Sequence, residues 1–242
     1  MEGIKIQGLT KRYKDVVAVN NLNLEIHKGE LFSLLGVNGA GKTTTIKMLS
    51  CLAEPTEGDA FINGKSIRNE PMAVKSIIAV SPQETAVAPG LTTGENLELI
   101  CGVNGFDKDK TKTKIAEMVE LLGLNPMLNK RAGKLSGGWQ RRLSIAMALI
   151  SEPEVLFLDE PTLGLDVLAR SDLWDVIRAL KGKVTIILTT HYMEEAEALS
   201  DRVAIMKDGN LVICDTVDKI KKAAGTDDFQ QAFIKVVKEV AK

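Results

Sequence analysis

The chain has 242 residues, enough for one large domain, and 45% of them are hydrophobic and 26% charged. Its net charge of −1 argues against a nucleic-acid partner, because a phosphate backbone favours a strongly basic surface. No run approaches the roughly 18–20 apolar residues of a membrane-spanning helix, and the N-terminus lacks the apolar segment of a secretory signal. Three cysteines without a C-x-x-C pair are typical of buried free thiols in a reducing compartment, so we expect a cytoplasmic location.

The first part of the chain predicts short strands around a glycine-rich loop. Residues 4–6 and 22–26 alternate with period two, and residues 31–35 have the continuous apolar pattern of a fully buried strand. This strand runs into the glycine-rich loop, after which residues 43–51 have a helical pattern. Two further strands are predicted, at residues 59–62 and 77–80.

Between about residues 86 and 150 the strand patterns give way to helical ones. Helices are predicted at residues 94–101, 110–122 and 140–150, and the second has apolar residues at the 3–4 spacing of one buried face: Ile115, Met118, Val119 and Leu122. Strands and helices then alternate, with strands at 155–158, 184–188 and 203–206 and helices at 169–181 and 194–200. This alternation predicts a parallel sheet covered by helices and interrupted by a helical insert.

The segment from about residue 216 has a helical pattern again. Thr226 is a candidate helix cap, followed by two aspartates that favour a first helical turn. The apolar residues of the last helix fall on one face, which packs either on the domain or on a partner chain: Phe229, Phe233, Val236, Val237 and Val240.

Residues 36–43, with the sequence GVNGAGKT, fit the phosphate-loop pattern G-x-x-x-x-G-K-[ST]. Glycines let consecutive backbone N–H groups turn inward around a phosphate, and the following helix adds the positive end of its dipole. Lys42 can reach the β- and γ-phosphates, and Thr43 can offer its hydroxyl to Mg²⁺. The preceding buried strand and the following helix are the context that this motif needs. The predicted nucleotide contacts are Gly36, Asn38, Gly39, Ala40, Gly41, Lys42, Thr43 and Thr44.

A phosphate loop alone does not choose the nucleobase. A GTP-binding switch would add an N-K-x-D sequence that recognises guanine, but residues 129–132, the nearest match, lack the acidic residue. No D-x-x-G sequence is present either. A small-molecule kinase stays open at this point and is disfavoured by the motifs that follow.

An apolar strand at residues 155–158 ends in Asp159 and Glu160. Because a parallel sheet forms its site at the carboxyl ends of its strands, Asp159 should emerge beside the phosphate loop and help to hold Mg²⁺. Glu160 could orient or deprotonate the attacking water. The pair therefore favours hydrolysis of the bound nucleotide.

Leu135-Ser136-Gly137-Gly138 lies just before a predicted helix, about twenty residues ahead of the acidic strand. A serine and two glycines at a helix start can form an anion cradle. The order of these motifs closely resembles the ABC-type ATPases, the nucleotide-binding domains of ATP-binding-cassette transporters, over essentially residues 2–215. The resemblance implies an α/β fold with a P-loop NTPase core and mainly parallel sheet, an antiparallel β subdomain and an inserted α-helical subdomain. Its parts are residues 1–85 and 151–215 (core with β subdomain), 86–150 (helical subdomain) and 216–242 (C-terminal helical extension).

The resemblance implies roles for four residues outside these motifs. Tyr13 corresponds to the aromatic residue that stacks on adenine, and Gln83 to the Q-loop glutamine that contacts Mg²⁺ and water and senses the transporter partner. Asp166 corresponds to the D-loop residue that points towards the other subunit. His191 corresponds to the switch histidine that contacts the γ-phosphate. The implied catalytic set is Lys42, Gln83, Glu160 and His191, and the implied metal set is Thr43, Gln83 and Asp159.

In this family two subunits pair head to tail, so that each ATP lies between one chain's phosphate loop and the other chain's signature residues, Ser136, Gly137 and Gly138.

Two positions depart from the family pattern. Trp139 replaces the commonest residue after the signature, glutamine, and Leu163 replaces a small or polar D-loop residue. Because the signature serine and glycines are retained, we expect their contact with ATP to survive.

The resemblance therefore implies the ATP-hydrolysing subunit of an ABC transporter, paired with an integral membrane permease on a separate chain. It implies a homodimer or heterodimer of ATPase subunits at the inner face of the cell membrane. Residues 91–97 and 190–197 are most similar to ATPases of drug, polysaccharide or ion exporters. A soluble ABC ATPase of translation or DNA repair is the alternative, disfavoured by the single cassette and the absence of a coiled-coil insertion. A sensor that binds ATP without turnover is disfavoured by the intact Asp159, Glu160 and His191.

Overall fold

The computed structural model of the protein describes residues 3–239, which form ten strands and nine α-helices. The strands are β1 (Ile4–Tyr13), β2 (Val16–Ile26), β3 (Leu31–Leu35), β4 (Glu57–Ile62), β5 (Lys65–Ser66), β6 (Ile78–Ser81), β7 (Val155–Asp159), β8 (Thr185–Thr190), β9 (Arg202–Lys207) and β10 (Asn210–Asp215). The helices are α1 (Lys42–Leu49), α2 (Pro71–Lys75), α3 (Thr93–Val103), α4 (Lys108–Leu121), α5 (Gly137–Leu149), α6 (Val167–Leu180), α7 (Met193–Leu199), α8 (Val217–Ala223) and α9 (Phe229–Glu239).

Two sheets organise the fold. The larger has the strand order β10-β9-β3-β8-β7-β6 and is parallel except for its edge strand β10. The smaller is antiparallel, with the order β2-β1-β4-β5. Every residue of β3, β7 and β8 is buried, which explains their continuous apolar runs, because a parallel sheet is covered by other elements on both faces. The predicted fold class is confirmed.

The register of the parallel sheet aligns three strand ends. Leu35 of β3 pairs with Thr190 of β8, and Asp159 of β7 pairs with Thr189 of the same strand. Because parallel strands run in one direction, the segments that follow β3, β7 and β8 leave the sheet at a single edge. The phosphate loop, Glu160 and His191 begin at these three exits.

Helices α3, α4 and α5 occupy the chain between β6 and β7, as predicted. On α4 the expected apolar face is confirmed, since Met118, Val119 and the adjacent Leu122 are buried and Ile115 is partly buried against the same core. Helix α5 begins three residues earlier than predicted, because Gly137 and Gly138 form its first turn despite their low helix propensity. No helix among residues 3–239 is both long and apolar enough to cross a membrane.

The C-terminal segment packs on the domain, the first of the two predicted alternatives. Phe229 and Phe233 are buried against the apolar side of β9 and α7, so the face belongs to the core. The predicted cap was wrong: the carboxylate of Asp228, not Thr226, accepts the hydrogen bond from the backbone N–H of Gln231 in the first turn. The predicted contribution of Val240 lies outside the described residues.

Several other features differ from the sequence predictions. Strands β5 and β10 and helix α2 were missed, because short amphipathic segments give weak periodicity. The cysteines are free, but only Cys101 is fully buried, whereas Cys51 and Cys214 are partly exposed. The expectation of three buried thiols was therefore wrong for two of them.

Replacing Phe157 by alanine should strongly destabilise the protein. The side chain is fully buried on strand β7, where it packs in a cluster with residues of β3, β8 and α1. Removing a buried aromatic ring costs about 3–5 kcal/mol, because transfer energy is lost and a cavity remains. Urea unfolding should show this decrease in the free energy of unfolding. Met72→Ala is the control, since Met72 is 76% exposed and should change that free energy by less than about 0.5 kcal/mol.

Candidate nucleotide site

A cavity of about 720 Å³ opens at the carboxyl edge of the parallel sheet. It brings together residues that are distant in sequence, from β1 and β2, the phosphate loop, and the segments that follow β6, β7 and β8. The cavity is large enough for a nucleotide. Its lining residues are Tyr13, Val16, Val17, Ala18, Asn38, Gly39, Ala40, Gly41, Lys42, Thr43, Thr44, Gln83, Glu160, Leu163, His191 and Asp208.

Two glycines of the phosphate loop are required by close packing. A Cβ atom at Gly36 would lie 2.5 Å from the carbonyl oxygen of Met206, and one at Gly41 would lie 2.5 Å from that of Ala18. Gly41 also has a φ of 100°, which residues with a Cβ rarely adopt. The loop therefore packs its bare backbone against β2 and β9. Helix α1 then starts at Lys42 with no side-chain cap, which leaves the positive end of its dipole at the cavity.

The side chain of Lys42 is buried at the base of this cavity. Its Nζ donates hydrogen bonds to the carbonyl oxygens of Gly36 at 2.8 Å and Val37 at 3.2 Å. A carboxylate oxygen of Glu160 lies 3.5 Å from the same Nζ, so the buried cation has an anionic neighbour. This pair places a buried ammonium group and a carboxylate side by side on the cavity wall.

Glu160 also contacts His191. The Nδ1 atom of His191 lies 2.9 Å from Oε2 of Glu160. A carboxylate only accepts hydrogen bonds, so Nδ1 must carry the hydrogen, which leaves Nε2 available to a ligand. The backbone of Glu160 has a φ of 45°, a strained conformation for a residue with a side chain and one that is common at functional sites.

Asp159 lies beside the start of α1. Its Oδ1 atom accepts hydrogen bonds from the Oγ1 atoms of Thr43 at 3.1 Å and Thr189 at 2.5 Å. The hydroxyl of Thr189 also accepts the backbone N–H of Glu160 at 3.0 Å, so one threonine orients both acidic residues. Sequence reasoning missed Thr189. The available signal was a polar residue near the end of a buried strand.

The cavity wall includes two residues that the sequence assigned only through the family resemblance. Tyr13 is 45% exposed, and the ammonium group of Lys11 lies 5.0 Å from the centre of its ring. Gln83 is exposed on the loop that follows β6. Asp208, in the turn between β9 and β10, lines the same cavity and was not predicted.

The signature residues are separate from this cavity within the single chain. Ser136 precedes α5 and makes no side-chain cap bond, and it is exposed together with Gly137. A Cβ atom added to Gly138 would lie 3.2 Å from Ala169, near the start of α6. Asp166 is exposed there and caps α6 by accepting the N–H of Ala169 at 2.9 Å. One chain thus brings together only part of the predicted site.

The two departures from the family pattern have different surroundings. Trp139 is half-buried and packs on the hydrophobic core, with the guanidinium of Arg142 4.9 Å from its ring centre. It therefore acts in packing, away from the cavity. Leu163 lines the cavity and has no polar side-chain atom, so it contributes only apolar surface there.

A buried carboxylic acid lies behind the site. Glu195 on α7 is fully buried and accepts a hydrogen bond from Nε1 of Trp174 at 3.1 Å. Burial raises the pKa of this carboxyl above its ordinary value of 4.5, although the hydroxyls of Thr190 and Thr162, the Trp174 indole and the charge of Arg170 oppose the shift. Desolvation dominates because a buried charge is costly. Sequence analysis had no signal for this residue, which belonged to an ordinary helical pattern.

Comparison with known proteins agrees with this geometry. A family model described as "ABC transporter" matches residues 19–163, and a shorter match, to a model described as an AAA domain, covers residues 131–196. The ATP-binding protein DrrA of daunorubicin/doxorubicin resistance from Streptomyces peucetius is 38% identical over 225 residues, or 93% of this chain and 68% of DrrA. Human phospholipid-transporting ATPase ABCA3 is 40% identical over 92% of this chain. The chain spans only 13% of the length of ABCA3.

Solved structures give the same assignment. An ATP-binding subunit of an ABC transporter superposes with a TM-score of 0.84, at 27% identity over 96% of this chain and 98% of that one. The ATP-binding cassette MJ0796, in a dimeric post-hydrolysis state with ADP and phosphate, gives a TM-score of 0.78 at 28% identity over 88% of this chain and 98% of that one. The chain belongs to the ABC transporter family.

Replacing Glu195 by glutamine should stabilise the protein increasingly as the pH rises. Because burial raises its pKa, folded Glu195 retains a proton that the unfolded chain has lost above about pH 4.5. The contribution of Glu195 to stability is therefore complete below that pH and decreases as the pH rises towards the raised folded pKa. Glutamine stays neutral and avoids this decrease. Urea unfolding of both proteins from pH 5 to 8 should show a growing difference, and a constant difference would contradict a neutral buried Glu195.

Proposed function

We propose that this chain hydrolyses MgATP at a site shared between two ATPase subunits and thereby powers transport through a separate membrane chain. The observation that carries the proposal is the contact of Glu160 with both Lys42 and His191 on the wall of a cavity lined by the phosphate loop. A cation for phosphate and a carboxylate for water thus lie side by side. Membership of the ABC transporter family supports the same assignment.

At the phosphate end, Lys42 and the backbone of residues 38–44 bind the β- and γ-phosphates. The start of α1 and the lysine ammonium together offer positive potential in a partly enclosed cavity, where electrostatic interactions are stronger than in water. At the other end, Tyr13 provides an aromatic surface on which adenine stacks. Stacking explains how a purine is selected without specific hydrogen bonds to the edge of the base.

The oxygen atoms around Thr43 fit a magnesium ion. Thr43 Oγ1 and Asp159 Oδ1 lie 3.1 Å apart, and Gln83 contributes an amide to the same cavity. Hydroxyl, carboxylate and amide oxygens are the ligands that Mg²⁺ prefers, with phosphate oxygens completing its shell. When bound, the ion neutralises charge on the phosphates. Thr189 keeps Asp159 oriented for this role through its 2.5 Å hydrogen bond.

Hydrolysis follows from the placement of Glu160. Its carboxylate accepts a proton from a water molecule, whose oxygen forms a bond to the γ-phosphorus while the bond from that phosphorus to the β–γ bridging oxygen breaks. His191 holds the carboxylate through Nδ1 and presents Nε2 to the γ-phosphate. Lys42 stabilises the negative charge on the transferred group.

The exposed signature residues support a second half-site. Ser136 and Gly137 at the start of α5 are exposed and do not line the chain's own cavity, and Asp166 is exposed nearby. In a head-to-tail pair, Ser136, Gly137 and Gly138 of a second copy, or of a related ATPase, would close over the ATP bound by the first. The dimeric cassette MJ0796 is a family member with that stoichiometry.

The cargo pathway belongs to an integral permease on another chain, and the subunit acts at the inner face of the cell membrane. The similarity to DrrA, named for drug resistance, supports export as the direction. ABCA3 is named for phospholipid transport, which states no direction, and it is a much longer protein. Co-purification of the chain with an integral membrane protein is the observation that separates this function from that of a soluble ABC ATPase.

Glu160→Gln should abolish ATP turnover while ATP binding is retained. The amide keeps the size of the side chain but cannot accept a proton from water, so the rate of phosphate release should fall by at least about 100-fold. ATP affinity, measured by equilibrium titration, should stay within about threefold of the wild type, because Lys42 and the phosphate loop are unchanged. Normal phosphate release from this variant would exclude Glu160 as the base.

Ser136→Arg should prevent closure of the paired site without affecting the phosphate loop of the same chain. Its bulky side chain would block the signature surface that contacts the second copy's ATP. In the Glu160→Gln background, ATP should produce a dimer on size-exclusion chromatography, and adding Ser136→Arg should leave a monomer. An ATP-dependent dimer that persists in the double variant would contradict a head-to-tail arrangement through Ser136.

A further inference from the structure

Helix α5 holds the loop that carries Gln83 through three neighbouring side chains. Ser144 Oγ lies 3.0 Å from Ser81 Oγ at the end of β6. Arg141 reaches the next two residues of the loop, and Gln140 accepts a hydrogen bond from Thr85 at 3.4 Å. These contacts join the end of β6 and the following loop to the first two turns of the helix. The same helix begins with the signature residues, so two parts of the nucleotide site share one support.

Arg141 makes the central contact of the three. Its Nη1 donates to the carbonyl oxygen of Pro82 and its Nη2 to that of Gln83, each at 2.5 Å. Only 4% of the residue is exposed, so these hydrogen bonds are shielded from water. The planar guanidinium matches two successive carbonyl groups, whereas a lysine ammonium is a point donor without this fork. The backbone on both sides of the Pro82–Gln83 peptide bond is thereby fixed.

Keeping Arg141 charged costs free energy, because the guanidinium is buried. Burial lowers the pKa of its guanidinium, while the charge of Asp159 opposes that shift. No carboxylate among residues 3–239 lies within ion-pair distance of it, so the two backbone carbonyls are its close polar partners. A hydrophobic residue would fill the same space without desolvating a cation. The arrangement therefore points to a demand for precise placement of the loop.

We propose that Arg141 is a positioning residue for ATP hydrolysis, which locks the backbone of Gln83 to helix α5. The proposal rests on the proposed function and deepens it. Gln83 and the start of α5 with Ser136 then move as one body. When Ser136 closes over the ATP bound by a second copy, the same movement would place Gln83 beside the metal and water of its own chain.

The test is a double-mutant cycle on the full chain. Arg141→Met should lower kcat for ATP roughly 10-fold, with KM changed less than about threefold, because the phosphate loop is untouched. Gln83→Ala removes the group that Arg141 positions. The kcat of the double variant should therefore lie within about twofold of the kcat of Gln83→Ala, since the effects of coupled residues are non-additive. If Arg141 had a purely structural role, the reductions in kcat of the two single variants would multiply in the double variant.

Arg142→Met is the matched control. The neighbouring arginine faces the other way, donating to the Leu122 carbonyl oxygen and lying 3.4 Å from Asp172. Its loss should leave kcat within about twofold of the wild type. Hydrogen exchange of the 82–86 segment should quicken in Arg141→Met and not in Arg142→Met. If Arg141→Met does not fold, Arg141→Lys takes its place in the cycle, because one ammonium can retain one of the two hydrogen bonds.

Two failures are distinguishable. Absence of ATP hydrolysis by the wild-type protein would overturn the proposed function itself. Wild-type hydrolysis combined with an unchanged kcat in Arg141→Met, or with fully multiplied losses in the cycle, would overturn the positioning role alone. A loss confined to the Arg141 variants, absent when Gln83 is already removed, supports it.

Discussion

The alignment of three parallel strand ends is the constraint on which the site depends. Leu35, Asp159 and Thr190 end strands that are paired in register, and the backbone N–H of Gly36 donates to the carbonyl oxygen of Thr190 at 3.3 Å. The phosphate loop, the acidic pair and the histidine therefore all start at a common edge of the sheet. A one-residue slip in any of these strands would turn the polar side chains to the opposite face.

The site is tightly packed at the phosphate loop and strained at Glu160, the proposed base. Gly36 and Gly41 allow the loop to lie directly against β2 and β9, which leaves it little room to move. Glu160 adopts a left-handed backbone conformation that costs on the order of 1–3 kcal/mol. Its N–H bonds to Thr189 hold that conformation. The strand therefore directs Asp159 and Glu160 to different partners, Thr43 for one and Lys42 with His191 for the other.

The helical segment between β6 and β7 also supports residues of the site that lie outside the cavity. Helix α5 presents the signature residues at its exposed start and holds the Gln83 loop with its first two turns. Its C-terminal part is buried among the core residues that also pack α6. The half-site for a second subunit is consequently supported by the element that contacts the chain's own loop. In the proposed pair, this helix would connect the two ATP positions physically.

The sequence by itself determined the phosphate loop, the acidic pair, the fold class and the alternation of the core elements. These features depend on local spacing, since residues 36–43 and 155–160 each carry their chemistry within one short segment. The predicted buried face of α4 followed from helical periodicity for the same reason. Their roles in hydrolysis stay predictions, although the cavity brings together Lys42, Thr43, Gln83, Glu160 and His191.

Only the tertiary structure decided which distant side chains meet. Thr189 between the two acids, Arg141 against the Gln83 loop and the raised pKa of Glu195 behind the strand edge all depend on contacts across 29 or more residues or on burial. Neither quantity has a local signature, because an arginine on a helix or a glutamate in an amphipathic segment is ordinarily solvated. The separation of Ser136 from the cavity likewise follows from packing, which directs the start of α5 outward.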